Sequence, residues 1–263
     1  MKYYIIGIKG SGTSTLANLL YDLGNSVCGY DDVKDYKFTM EGLNKRGINI
    51  YYDDNLPKLD LDTIVTYTKA ISLDHPELVR VKNLGLKIIS YNDLLGEITK
   101  NHESICVCGT HGKTTTTSMV SLILEKANLN PTILVGGILN EFQSNVVVGK
   151  SKYFITEACE YMDSFLSLKP FAEIILNIDE DHLDYFKNIN HIEESFREFA
   201  SHVPDGGFIV AYDANPYVKM ATQNVKCEVV TFGLNESSNY YAKNISFNEL
   251  IQLSTNRKRK KRF

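Results

Sequence analysis

Residues 104–117 read S-I-C-V-C-G-T-H-G-K-T-T-T-T, and few folds accommodate residue types in that order. Ser104 to Cys108 is a short run of β-formers bounded by glycine, which predicts a strand buried on both faces. Gly109, Thr110, His111 and Gly112 form a tight polar loop. From Thr114 the pattern turns helical, with Met119, Leu122, Ile123 and Ala127 at three- and four-residue spacing. Strand, glycine loop, Lys-Thr and helix describe a cradle for the phosphates of a nucleoside triphosphate. Loop amides and a helix N-terminus bind phosphate oxygens, and glycines let the backbone approach them. The expected nucleotide-phosphate contacts are Gly109, Thr110, His111, Gly112, Lys113, Thr114 and Thr115. Lys113 would neutralise the β- and γ-phosphates and the Thr114 hydroxyl would ligate Mg2+. The common phosphate loop has four residues between its glycines and this one has two. The competing reading is an ordinary strand-to-helix turn with a capping threonine and a solvated lysine.

The 263 residues are long enough for two domains, and 43% hydrophobic content is ordinary for a soluble protein. No apolar run is long enough to cross a bilayer, and the opening MKYYIIGIKG runs straight into a strand, so no signal peptide is expected. Five cysteines (28, 106, 108, 159 and 227) form no C-x-x-C pair. Cys106 and Cys108 share one side of a strand, which suits small core residues, and a reducing cytoplasmic location follows. The net charge of −4 conceals an asymmetry, because residues 257–262 supply six of the 28 basic side chains. Without them 22 basic residues face 32 acidic ones, which argues against a nucleic-acid-binding surface. The basic end, 249–263, lacks apolar periodicity and is expected to be a disordered tail.

The first hundred residues alternate strand and helix. Tyr3 to Ile8 is a strand, Gly7-Ile-Lys-Gly10-Ser-Gly12 a glycine turn, and a helix follows with Leu16, Leu19, Leu20 and Leu23 on its apolar face. Gly24 is its natural stop. A second strand, Ser26 to Tyr30, ends at Asp31. Further strands are expected at 47–51, 63–67 and 87–90, with a helix near 76–84. This is a doubly wound parallel sheet, whose ligand sits beyond the strand C-termini. Gly10, Ser11, Gly12, Asp31 and Thr68 fall at that edge. The G-x-x-G-x-G spacing differs from the dinucleotide fingerprint, so a nicotinamide or flavin cofactor is not supported.

Beyond the central loop, strands are expected at 131–135, 146–148, 153–158 and 174–178. One ends at Glu157, with Cys159, Glu160 and Asp163 just after it. Another runs into Asp179-Glu-Asp-His182-Leu-Asp184. Oxygen ligands with an occasional imidazole suit a hard cation. In a parallel sheet, Glu157 and His182 should converge on Lys113 and Thr114.

The segments G-T-H-G-K-T-T-T (109–116), E-A-C-E-Y-M-D-S-F-L (157–166) and N-I-D-E-D-H-L-D (177–184) closely resemble the Mur ligase family, in its alanine-adding branch. The N-terminal G-I-K-G-S-G and I-I-S-Y-N-D-L-L-G-E (88–97) fit as well, so the similarity runs from residue 1 to about 247. The resemblance implies an N-terminal Rossmann-like domain over 1–100 that binds a UDP-sugar through Gly10, Ser11, Gly12, Asp31 and Thr68. It implies a central ATP-binding α/β domain over 101–248, incomplete here. The family's third domain is expected to be absent, and residues 249–263 to be an aberrant basic tail. The implied activity joins L-alanine to UDP-N-acetylmuramate through an acyl phosphate, in cytoplasmic peptidoglycan synthesis, with ATP and Mg2+ as cofactors. Lys113, Glu157 and His182 would be catalytic, and Thr114, Glu157 and His182 would hold the metal. Later-acting ligases of the family use a modified lysine where this chain has Ser195, Phe196 and Arg197. Departures are Thr13 for methionine, Thr68-Lys69 for serines and Tyr91 for arginine, all bearing on the UDP-sugar contacts. A ligase for recycled murein peptide, or a nucleotide-binding protein that ligates nothing, would share these motifs. Without the third domain, ligation by this chain alone is not expected.

Overall fold

Lys2–Ile6 (β1) is the central strand of the first sheet, and its neighbours follow from sequence punctuation. The glycine turn after β1 leads into Ser11–Asp22 (α1), then Ser26–Tyr30 (β2), Met40–Lys45 (α2) and Asn49–Tyr51 (β3). Thr63–Tyr67 (β4), Pro76–Asn83 (α3), Lys87–Ser90 (β5) and Tyr91–Lys100 (α4) complete this part. The strand order is β3-β2-β1-β4-β5, and every pairing is parallel. This is the doubly wound arrangement that the alternation predicts. Leu16, Leu19 and Leu20 are buried as their spacing requires, whereas Leu23, past the last turn of α1, is exposed. Gly24 takes φ +83°, a left-handed stop that disfavours a side chain. The core packs Tyr4, Ile6, Tyr30 and Val65 against Leu78 and Val81 of α3. Each such side chain contributes roughly 1.5–3 kcal/mol on full burial.

The computed structural model describes residues 1–68, 70–248 and 251–258. Lys69 and the basic residues beyond Lys258 lie outside the described residues. Two compact units divide the chain: Met1–His102 with Thr117–Ile155, and Glu103–Thr116 with the chain from Thr156 on.

The second part begins with Glu103–Cys108 (β6) and Lys113–Lys126 (α5), then Thr132–Leu139 (β7), Ser144–Val147 (β8) and Tyr153–Glu157 (β9). A 3₁₀ turn over Tyr161–Ser167 precedes Ala172–Ile175 (β10), Ile189–Ala200 (α6), Phe208–Tyr212 (β11), Pro216–Ala221 (α7) and Glu228–Gly233 (β12). Tyr240–Asn248 (β13) and Ile251–Lys258 (β14) close the described chain. Strands β6, β10, β11, β12 and β13 run parallel in the order β13-β12-β11-β10-β6. The pairs β7–β8 and β13–β14 are antiparallel.

One expectation changes, and one helix face is decided only by the structure. Residues 251–258 form a strand on β13 instead of a disordered tail; a ladder joins backbone groups and does not need an apolar side-chain pattern. In α5 the buried residues are Thr117 and Ser121, while Met119 and Ile123 are exposed. Small hydroxyl residues give the closely packed side, and Ser121 Oγ satisfies itself on the Thr117 carbonyl at 2.7 Å. The apolar spacing marked a helix, but not which side of it is covered.

Helix α6 follows its periodicity, burying Ile192, Phe196 and Phe199. Phe165 stacks on Phe199 at 4.5 Å and meets Phe196 edge-on at 5.1 Å. Asn188 caps the helix, accepting from the His191 amide at 3.0 Å.

Candidate functional site

The loop after β6 is built by its glycines and by the segment after β10. Gly109 has φ +135° and Gly112 φ +87°. A Cβ on Gly109 would stand 3.0–3.1 Å from Leu176 Cβ and the Asn177 backbone, so only glycine fits. Asn177 clamps the loop: its side chain accepts from the His111 amide at 2.8 Å and donates to the His111 carbonyl at 3.0 Å. The Thr110 hydroxyl accepts from the Asp179 amide at 2.9 Å. A cavity of about 290 Å³ opens between Thr110, His111, Gly112, Lys113, Thr114 and Thr115. Those six, with Gly109 behind them, are the residues expected to meet ATP.

Lys113 is the first residue of α5, and its ammonium turns back toward its own loop. It donates to the Gly109 carbonyl at 2.7 Å and the Thr110 carbonyl at 3.2 Å. It also meets both carboxylate oxygens of Glu160, at 3.1 and 2.9 Å. The Thr114 hydroxyl donates to Glu157 Oε2 at 3.0 Å. Neighbouring strands deliver both partners, because β9 lies beside β6 and ends at Glu157, where the chain turns at once, the Ala158 amide bonding the Val107 carbonyl at 2.8 Å.

His182 arrives from the segment after β10 with φ +52°, and its ring lies 4.6 Å from that of Tyr161. Glu160, Asp181 and His182 each offer a ligand atom, all within 4.8 Å of one another. The expected metal set therefore falls into two groups. Thr114 and Glu157 touch directly, while His182 stands with Glu160 and Asp181. The donor chemistry, carboxylates with a hydroxyl and one imidazole, fits a hard divalent cation such as Mg2+. Sequence reasoning named Glu160 and Asp181 only as neighbours of a site. Their one signal was an acidic residue three positions past the end of β9 and another six past the end of β10.

Asp163 is held differently. With φ +55° it accepts from the hydroxyls of Tyr185 and Ser195. Ser195 is thus buried in a polar contact.

The predicted UDP-sugar residues sit on the first loop and its neighbours. Gly10, Ser11 and Gly12 lead into α1, and the Thr13 hydroxyl donates to the Gly7 carbonyl at 2.5 Å. Asp31 is buried and accepts from the amides of Lys9 at 3.0 Å and Val33 at 3.3 Å. Thr68 accepts from the Ala70 amide at 3.2 Å. Of these five residues, Ser11 alone lines the cavity of about 480 Å³ beside α1, together with Ser14, Asn18 and Lys45.

A parallel α/β sheet, a glycine loop opening a helix with Lys-Thr, and acidic residues at adjoining strand ends define a phosphate-loop architecture. The Mur ligase middle domain matches residues 107–260, and the Mur ligase family catalytic domain matches residues 2–103. The chain belongs to the Mur ligase family. It is 43% identical over 245 residues to a UDP-N-acetylmuramate–L-alanine ligase of Alkaliphilus metalliredigens, covering 93% of this chain and 53% of that protein. It is 45% identical over 251 residues to the ligase of the same name from Acetivibrio thermocellus, covering 94% and 52%. The chain thus spans about half the length of the curated relatives it matches. Among solved structures, the UDP-N-acetylmuramate-alanine ligase of Thermotoga maritima superposes with a TM-score of 0.81 at 26% identity, covering 100% of this chain and 59% of that one. The UDP-N-acetylmuramate:L-alanyl-γ-D-glutamyl-meso-diaminopimelate ligase of Neisseria meningitidis gives 0.82 at 27%, covering 94% and 82%. No helix among the described residues is long and apolar enough to cross a membrane.

Proposed function

We propose that this chain carries the UDP-sugar- and ATP-handling part of a cytoplasmic ligase that joins L-alanine to the carboxylate of UDP-N-acetylmuramate. The observation that carries this reading is the group of Lys113, Thr114, Glu157, Glu160, Asp181 and His182 at one sheet edge, in a chain 43–45% identical to ligases of that name. In this reaction the muramyl carboxylate attacks the γ-phosphate, releasing ADP and forming an acyl phosphate. The alanine amine then attacks the acyl carbon and expels phosphate.

The chain's own groups act by position and charge. The amides of 110–114 and the N-terminus of α5 receive the phosphates. Lys113 offsets charge that builds on the transferring phosphoryl group. Thr114 and Glu157, with the group around His182, would hold Mg2+, which supplies charge neutralisation and polarises phosphoryl oxygens. Gly10, Ser11 and Gly12 present the N-terminus of α1 to the UDP diphosphate, with Asp31 and Thr68 at the same sheet edge.

A second reading is a ligase for murein peptide, favoured by the Neisseria superposition. The identity to the alanine ligases is far higher than the 27% to that structure, and supports the alanine branch.

The test is calorimetric titration of the purified chain with Mg-ATP and, separately, with UDP-N-acetylmuramate. Both are expected to bind with dissociation constants between about 1 μM and 1 mM. Failure of both ligands to bind a folded chain would refute the reading.

A further inference from the structure

Glu160 is 2% exposed, yet it carries a carboxylate that faces Lys113 with both oxygens. A buried carboxylate without a counter-charge is strongly unfavourable. In the arrangement described here Lys113 supplies that charge, and its remaining contacts include the carbonyls of its own loop. The same ammonium is the group that an incoming γ-phosphate must recruit. When phosphate takes it, Glu160 is left as an uncompensated negative charge beside a polyanion. Among the described residues, the other ligand set that includes Glu160 is the one it forms with Asp181 and His182, and that set fits a divalent cation.

We propose that Glu160 is a positioning residue that makes nucleotide binding conditional on the divalent cation, by holding Lys113 until nucleotide and cation arrive together. The inference rests on the ATP reading of the 109–115 loop and goes beyond it. In this account Glu160 exchanges one cation for another. With Lys113 it is neutralised in the empty site. With Asp181, His182 and the metal it is neutralised in the loaded one. Nucleotide without metal satisfies neither arrangement, because Lys113 cannot serve Glu160 and the phosphate fully at once. Hydrolysis or transfer is not part of the effect, which is a coupling between two binding events.

The experiment measures the affinity of a non-hydrolysable ATP analogue by calorimetry, in excess Mg2+ and in chelator. The unaltered chain should bind far more weakly in chelator. Glu160→Gln keeps the shape and removes the charge, so its metal-free affinity should rise at least about tenfold and its Mg2+ dependence should shrink. Glu160→Asp should retain the dependence. A purely structural role predicts instead that Glu160→Gln weakens binding by the same factor in both conditions, and that result overturns the proposal. Should Glu160→Gln fail to fold by circular dichroism, His182→Ala decides. It should weaken binding in Mg2+ while leaving metal-free affinity unchanged, and equal losses in both conditions overturn the proposal. If the unaltered chain binds the analogue in neither condition, the ATP reading itself falls and takes this inference with it.

Discussion

The chain contains two glycine loops, each between a strand and a helix and each with a lysine, and they use that lysine in opposite ways. Lys9 is 1% exposed, and its ammonium donates to the carbonyls of Val33 and Asp35. It ties the 31–37 segment down over the first loop. Lys113 instead faces a carboxylate, beside an open cavity. The carboxylates buried near the two sheets differ as well. Glu77 is paired with Arg80 through two bonds of 2.7 Å and accepts from the Tyr4 hydroxyl at 2.6 Å. Glu173 lies in β10 opposite Cys106, receives only the Cys108 thiol at 3.0 Å, and has an Oε2 with no partner among the described residues. A lysine answered by carbonyls is a staple. A lysine answered by a carboxylate beside an open cavity can change partners.

The largest effect expected from this contrast is on pH dependence. Burial pushes the Glu173 carboxyl up to about 8. Between the ordinary carboxylate range and about 8, the unfolded chain has lost this proton while the folded chain keeps it. Stability therefore falls as pH rises through that window and levels off above it. Glu173→Gln should remove this slope and stabilise the protein at pH 8 by at most about 5 kcal/mol, with no gain near pH 4. Denaturant melts of both proteins across pH would show it, and a pH-independent difference would refute it.

Next comes the lysine pair. Lys113→Ala leaves Glu160 buried without its counter-charge and should cost about 3–5 kcal/mol, largely recovered in Lys113→Ala/Glu160→Gln. Lys9→Met should cost about 2 kcal/mol, with faster amide exchange confined to 31–37. Equal costs for the two lysines, with no rescue by Glu160→Gln, would erase the distinction between them.

The glycines provide a smaller, matched test. Gly109→Ala meets backbone at 3.1 Å with φ +135° and should cost about 3 kcal/mol. Gly7→Ala has φ +74° and its nearest contact is Ile71 at 3.4 Å, so about 1 kcal/mol is expected. Chemical denaturation of both variants checks the order, and the reverse ranking would contradict the account.

Most of the fold was legible because it rests on local punctuation. Glycine stops, buried β-runs and the leucine spacing of α1 each act within a few residues. The closeness of Thr114 to Glu157 was legible for the same reason, since both stand at or just past the ends of buried strands, whereas His182 stands with Glu160 and Asp181. The pairing of Lys113 with Glu160 was not, since 47 residues separate them. It also depends on a turn in which Met162 and Asp163 take positive φ, a conformation that their side chains do not announce. The buried side of α5 was not legible, because its covering favours small hydroxyl residues over its apolar ones. The strand at 251–258 was hidden because it lacks an apolar period, which backbone pairing does not require.

The account turns on the claim that the second loop, and not the first, receives the nucleotide phosphates. The most direct measurement is a calorimetric titration of Mg-ATP into the unaltered chain, Lys9→Met and the double variant Lys113→Ala/Glu160→Gln, each checked for its fold by circular dichroism. The account predicts binding to the first two and at least about a hundredfold loss in the third. Binding that survives in the double variant but disappears in Lys9→Met would contradict it.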